Sequence, residues 1–119
     1  MSRFPKKIVA KLYSSLKRLE IVMDKEDFAS FIQSDSWITQ DAVIRRLIEV
    51  SYISELLIEK HNHFTEAHPE IPFKELSGMK KYLTKIQDGS IDLALIWQTI
   101  QKVVPELMEK IEAIFKKIR

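Results

Sequence analysis

Apolar side chains recur at every third or fourth position along almost this entire chain, a spacing that serves helices and little else. Ile8, Leu12, Leu16, Leu19 and Val22 step in this way and predict a first amphipathic helix from about Pro5 to Met23. Pro5 suits a first helical turn, where a missing N–H costs little. Two glycines and four prolines are too few for a turn-rich β-sandwich, so the fold class read here is all-α.

The remaining pattern divides the chain at recognisable breaks. A short helix carrying Phe28, Phe31 and Ile32 is expected between Asp24 and Gln33, before the polar Ser34-Asp35-Ser36. From about Gln40 to His61 two apolar stripes share one helix. Val43, Leu47, Val50, Ser54 and Leu57 form the first; Ile44, Ile48 and Tyr52, with Leu56, form the second. Two stripes mean cover on two sides, supplied either by a central place in a monomeric bundle or by a second copy of the chain. On the second account Ile44, Ile48 and Tyr52 are the candidate dimer interface. Pro69 and Pro72 make residues 68–73 a connection. A helix from about Lys74 to Ile86 follows, then the Asp88-Gly89-Ser90 turn. The last segment carries a stripe from Leu93 to Ile118, in which Pro105 predicts a kink or a division. Asp92 near its start and Lys116, Lys117 and Arg119 near its end suit the helix dipole.

Composition narrows function less than fold. The 119 residues suffice for one domain with a real core, and 45% hydrophobic with 30% charged residues is ordinary for a globular protein. A net charge of +2 permits RNA as a partner without demanding it. Without cysteine there is no disulfide frame, no thiol nucleophile and no thiolate zinc site. No apolar run approaches the roughly 18 residues of a membrane span, and no signal-peptide core follows Lys6-Lys7. The expectation is a cytoplasmic protein with no membrane partner, no cofactor and no metal.

Five landmarks then fall in order: Gln40 to Leu47 (QDAVIRRL), His68 to Phe73 (HPEIPF), Gly78-Met79, Ile91-Asp92-Leu93 with Ile96-Trp97, and Pro105-Glu106-Leu107. Together they resemble the HepT-like branch of the HEPN superfamily over nearly the whole chain, most weakly before Asp24. The resemblance implies one HEPN domain over residues 1–119, an up-and-down bundle of roughly five helices that forms a homodimer. It also implies metal-independent RNA cleavage in a groove at the dimer axis. Members often act as the toxin of a toxin–antitoxin pair. Their partner is a minimal nucleotidyltransferase that neutralises the toxin by binding it and transferring AMP to a tyrosine.

That chemistry resides in one motif: Arg, four to six residues, His, one residue, Tyr, commonly with a polar residue after the Arg. Here the Arg position is Lys80, the next is Lys81, the His position is Lys85 and the Tyr position is Gln87. The segment from Lys85 to Asp92 is slightly longer than the family pattern. In the third helix, Ile48 and Ser51-Tyr52 stand where the family often has Glu and a Gly-Glu pair. Cleavage by the 2′-hydroxyl needs a group that takes a proton. Histidine, with a pKa near 6.5, has both forms available at neutral pH. Lysine, at about 10.4, is almost wholly protonated, and an ammonium accepts no hydrogen bond. Arg-to-Lys at position 80 keeps the charge and loses the two-pronged grip on phosphate. Gln87 is no nucleophile, so the AMP acceptor is missing as well; Tyr82 lies on the same segment but not at the matching place. The catalytic set is therefore read as absent. Lys80, Lys81 and Lys85 remain a candidate RNA-backbone patch, with a plain solvated surface as the alternative.

Other signals carry less. His61-Asn62-His63 has neither helical phase nor a carboxylate to complete a metal shell, and reads as a helix end meeting a loop. His68 belongs to the proline-bounded connection. Of Arg45 and Arg46, one is expected to pair with an acid and one to face a groove. Trp97 sits on the long stripe and reads as core.

Overall fold

The computed structural model describes residues 4–84 and 92–117. Helix α1 (Lys6–Asp24) is followed by a single turn of helix α2 (Phe28–Phe31), a 3-10 turn (Ser34–Ser36), and the long α3 (Trp37–Lys60). Then come α4 (Asn62–Ala67), α5 (Phe73–Thr84) and α6 (Leu93–Lys117). Among the described residues there is no β-strand. The four longer helices form an all-α, HEPN-like bundle. In it α3 packs on α5 along one side and on α1 along the other, and α6 lies against α1.

The core is mostly the predicted stripes turned inward, but in α1 Val9 and Met23 are buried where Ile8 and Val22 were expected, and those two are only half-buried. Val9, Leu12, Leu16 and Leu19 of α1 meet Val43, Leu47, Val50 and Leu57 of α3, and Ile96, Ile100, Val104, Leu107, Ile111 and Ile114 of α6 close the bundle. Burying each such side chain contributes about 1.5–3 kcal/mol. Pro5 starts α1 as foreseen, its carbonyl accepting the Val9 N–H at 3.0 Å.

Asp27 begins α2 with a capping box. Its carboxylate accepts the Ser30 N–H at 2.8 Å, and the Ser30 hydroxyl accepts the Asp27 N–H at 3.1 Å. The Ser30 N–H holds the Asp27 carboxyl below its usual range. A depressed carboxylate adds stability above its unfolded pKa and loses it as pH falls through the folded value. Asp27→Ala should therefore lower the melting temperature at neutral pH. The gap to the wild type should close when melts are repeated in acid below the ordinary carboxylate range.

Between α2 and α3, Gln40 donates to the carbonyls of Phe31 and Gln33, both at 2.8 Å, and the Ser36 hydroxyl donates to the Ser30 carbonyl at 2.6 Å. The landmark glutamine thus staples the corner. With that corner closed, α3 starts three residues earlier than the spacing predicts, at Trp37. It stops at Lys60, because His61 leaves helical geometry (φ −138°, ψ 49°), and α4 then restarts where a loop was expected.

The proline-bounded connection is pinned from both sides. His68 stacks on Phe64 with ring centres 4.8 Å apart and meets Glu70 at 3.1 Å, while Lys110 of α6 donates to the Glu70 carbonyl at 2.6 Å. Phe4, Phe64, Phe73 and Phe115 cluster beside it with centroid separations of 5.5–5.8 Å. Pro105 does not divide the last helix, since α6 runs unbroken from Leu93 to Lys117. Pro105 and Gln101 both lie on the exposed side, where the carbonyl left without a donor meets water. Asp92 caps this helix through the Leu95 N–H at 3.1 Å, and Trp97 packs against Phe31 at 5.3 Å.

Candidate functional site

The segment of interest is the second half of α5, and one buried hydroxyl of α3 holds it in place. Ser51, with 0% of its surface exposed, donates to the Ser77 carbonyl at 2.8 Å and accepts the Lys80 N–H at 2.8 Å. Only a small side chain with both a donor and an acceptor can sit between two helices this way. Ser51→Ala removes both bonds without adding bulk and leaves the Ser77 carbonyl facing an apolar group. A loss of about 1–3 kcal/mol is expected in denaturant unfolding, the range for an unsatisfied buried group.

One turn along α3 the Lys80 side chain is held too. Its ammonium lies 3.0 Å from a Glu55 carboxylate oxygen and 4.1 Å from the centre of the Tyr52 ring. The hydrogen bond to Glu55 raises the Lys80 pKa above the ordinary lysine value, with the Glu55 charge acting in the same direction. Position 80 therefore carries a tethered cation. A group whose proton is held this firmly cannot act as a base near neutral pH.

Lys81 is exposed in the last turn of α5. Lys85 and Gln87, the other two candidate positions, lie outside the described residues, as does the Asp88-Gly89-Ser90 turn. Tyr82 is partly exposed beside Leu95 and borders an apolar cleft of about 230 Å³ with Leu47, Met79, Leu83, Ile96 and Thr99. Gly78 faces open space, and a Cβ there would meet nothing within 4 Å. Packing inside the chain does not require that glycine.

The second stripe of α3 faces outward next to this segment. Ile44 and Ile48 are half-buried, whereas Tyr52 is 59% exposed and Leu56 39%. The outward line is longer than the pattern suggested. Ile38, Arg45, Tyr52 and Leu56 recur at intervals of seven, seven and four, all exposed. Of the two arginines, Arg46 pairs with Glu49 at 3.0 Å while Arg45 stays on the open face. Sequence reasoning missed Ser51 and Glu55 as partners of position 80. Their four-residue interval, which places both on one side of α3, was the available signal.

Against this geometry the comparisons are specific. The profile of the family described as Ribonuclease HepT-like matches residues 12–114. The chain belongs to that family. It is 36% identical over 78 residues to "Probable ribonuclease HepT" of Thermococcus cleftensis, covering 66% of this chain and 67% of that one. It is 31% identical over 103 residues to "Putative RNase MJ1216" of Methanocaldococcus jannaschii, covering 84% and 83%. A further relative from that organism, "Gamma-glutamylcyclotransferase and putative RNase MJ0434", is 31% identical over 107 residues. The aligned region takes in 87% of this HepT-like chain but only 45% of that relative's length. No solved structure matches.

Proposed function

We propose that this HepT-like chain is a non-cleaving homodimer, one HEPN domain over residues 1–119, kept for its contacts with another protein. The observation that carries the reading is the residue set at the motif: Lys80, Lys81, Lys85 and Gln87 where the family uses Arg, a polar residue, His and Tyr. The tie between Lys80 and Glu55 supports it, because the cation at the arginine position is already engaged inside the chain. The second copy is assigned to the outward face of α3, over Ile44, Ile48 and Tyr52 with Ile38 and Leu56. A face presenting apolar groups at heptad-like intervals suits an isologous helix pair. The other protein is assigned by family resemblance to a minimal nucleotidyltransferase. With no tyrosine at position 87, recognition is by binding alone.

The names of the relatives favour a second reading, a metal-independent ribonuclease, and a third is an RNA holder using Lys80, Lys81 and Lys85. One pair of experiments separates them. Purified protein is incubated with labelled single-stranded RNA beside a Lys85→Ala variant; no cleavage above background is expected from either. Cleavage by the wild type that the variant lacks restores the enzyme. Co-expression with the neighbouring reading frame, followed by sizing, should give a complex larger than the dimer. A dimer eluting alone would remove the protein-partner reading.

A further inference from the structure

The first 23 residues hold six cations and one carboxylate, Glu20, in a chain whose net charge is only +2, so the rest of the chain carries an excess of acid. On α1 the cations fall on one line: Lys7, Lys11 and Arg18 follow one another at four and seven residues, with Ser14 between them, all exposed. The helical rise places them about 6 Å and then about 10 Å apart along the axis. Glu20 is taken by Lys17 at 2.9 Å, and among the described residues no carboxylate lies within ion-pair distance of Lys7, Lys11 or Arg18.

This line borders a groove of about 410 Å³ between α1 and α3, lined by Lys11, Ser14, Arg18, Glu49 and Ile53. The one carboxylate in the lining is already satisfied. Glu49 accepts the buried Ser15 hydroxyl and pairs with Arg46. Its charge is thereby offset by Arg46 from the α3 side. The groove lies across α3 from Lys80, because Glu49 faces α1 whereas Glu55 faces α5.

We infer that the α1–α3 groove is a phosphate-tracking surface for single-stranded nucleic acid, separate from the lysines of α5. Cations spaced by whole turns of a helix meet a backbone that repeats its charge at similar intervals, and the hydroxyl of Ser14 adds a neutral donor. An anionic membrane fits less well. The apolar face of α1 (Val9, Leu12, Leu16, Leu19) is consumed by the core, so this helix has nothing to insert but Ile21. The inference stands whether or not the chain cleaves RNA or binds a protein partner.

The test is fluorescence anisotropy of a fluorescein-labelled oligouridine titrated with the purified protein at several salt concentrations. The variant carries Lys7→Gln, Lys11→Gln and Arg18→Gln together. It should weaken binding at least about tenfold and flatten the log-affinity against log-salt slope by about 2, since each neutralised phosphate on a single strand contributes about 0.7. A variant with Lys80→Gln and Lys81→Gln should keep most of the wild-type slope. Should the triple variant melt early, Lys11→Gln alone reads the same effect as a slope change of about 0.7. The inference is overturned if the triple variant binds like the wild type, or if the wild type ignores oligouridine at low salt. It is also overturned if phosphatidylcholine–phosphatidylglycerol vesicles or polyglutamate bind as tightly as the RNA.

Discussion

Single-stranded RNA is expected to be cut about 10²–10⁴-fold faster when Lys80→Arg, Lys85→His and Gln87→Tyr are introduced together, the range by which a positioned acid–base group accelerates a reaction. Position 85 dominates this gain. An imidazole with a pKa near 6.5 can take the 2′-hydroxyl proton and return it, whereas an ammonium offers no lone pair. Position 80 contributes charge geometry. Glu55 already holds a cation there at 3.0 Å, so a guanidinium finds a partner that orients it, and its planar fork can engage phosphate on the other edge. Tyr52, under the Lys80 ammonium at 4.1 Å, accepts an arginine face at least as well. Lys85→His alone should recover most of the effect and Lys80→Arg alone little. The rate should fall again in acid as the imidazole protonates. A triple variant that leaves the RNA uncut, with its fold intact, would mean that the surrounding frame lacks more than these reactive side chains.

The largest effect on stability is expected at the α2 corner. Phe31 is 0% exposed, stacks on Trp97 at 5.3 Å, and its carbonyl accepts one of the two Gln40 bonds that set the start of α3. Phe31→Ala should cost about 3–5 kcal/mol in denaturant unfolding, combining lost transfer energy with a cavity the corner cannot refill. Trp97 reports the change, since its emission should move to the red as water reaches the indole. Phe28 stacks on the same indole at 6.2 Å from a 43%-exposed position, and Phe28→Ala should cost far less. Equal losses at the two positions would show that Phe31 acts through the aromatic contact rather than through burial.

Much of the architecture follows from spacing alone. The inward stripes of α3 and α6, and Leu12, Leu16 and Leu19 of α1, are the ones the periodicity marks, and Pro69 and Pro72 do end one helix and precede the next. At the motif the sequence supplies the residue types, a lysine at position 85 among them, and the chemistry read from them belongs to the proposal above. Spacing erred where neighbours intervene. Gln40 and Ser36 fasten α2 to α3 and so move the helix start to Trp37. An exposed carbonyl lets α6 pass through Pro105 undivided.

The pairings that define the candidate surfaces arise at another level. Ser51 and Glu55 meet Lys80 across 29 and 25 residues of sequence, and Ser15 meets Glu49 across 34. Such contacts depend on how far one helix slides and turns against another, a rigid-body placement fixed by the whole core at once. Periodicity along one helix says which face is covered, and it is silent on the axial offset that decides which residue does the covering. For that reason the chain announces a helical bundle and the lysines at 80, 81 and 85. The packing of α3 between α1 and α5 decides that one of those lysines is tethered while Lys11 and Arg18 of α1 line a groove on the other side.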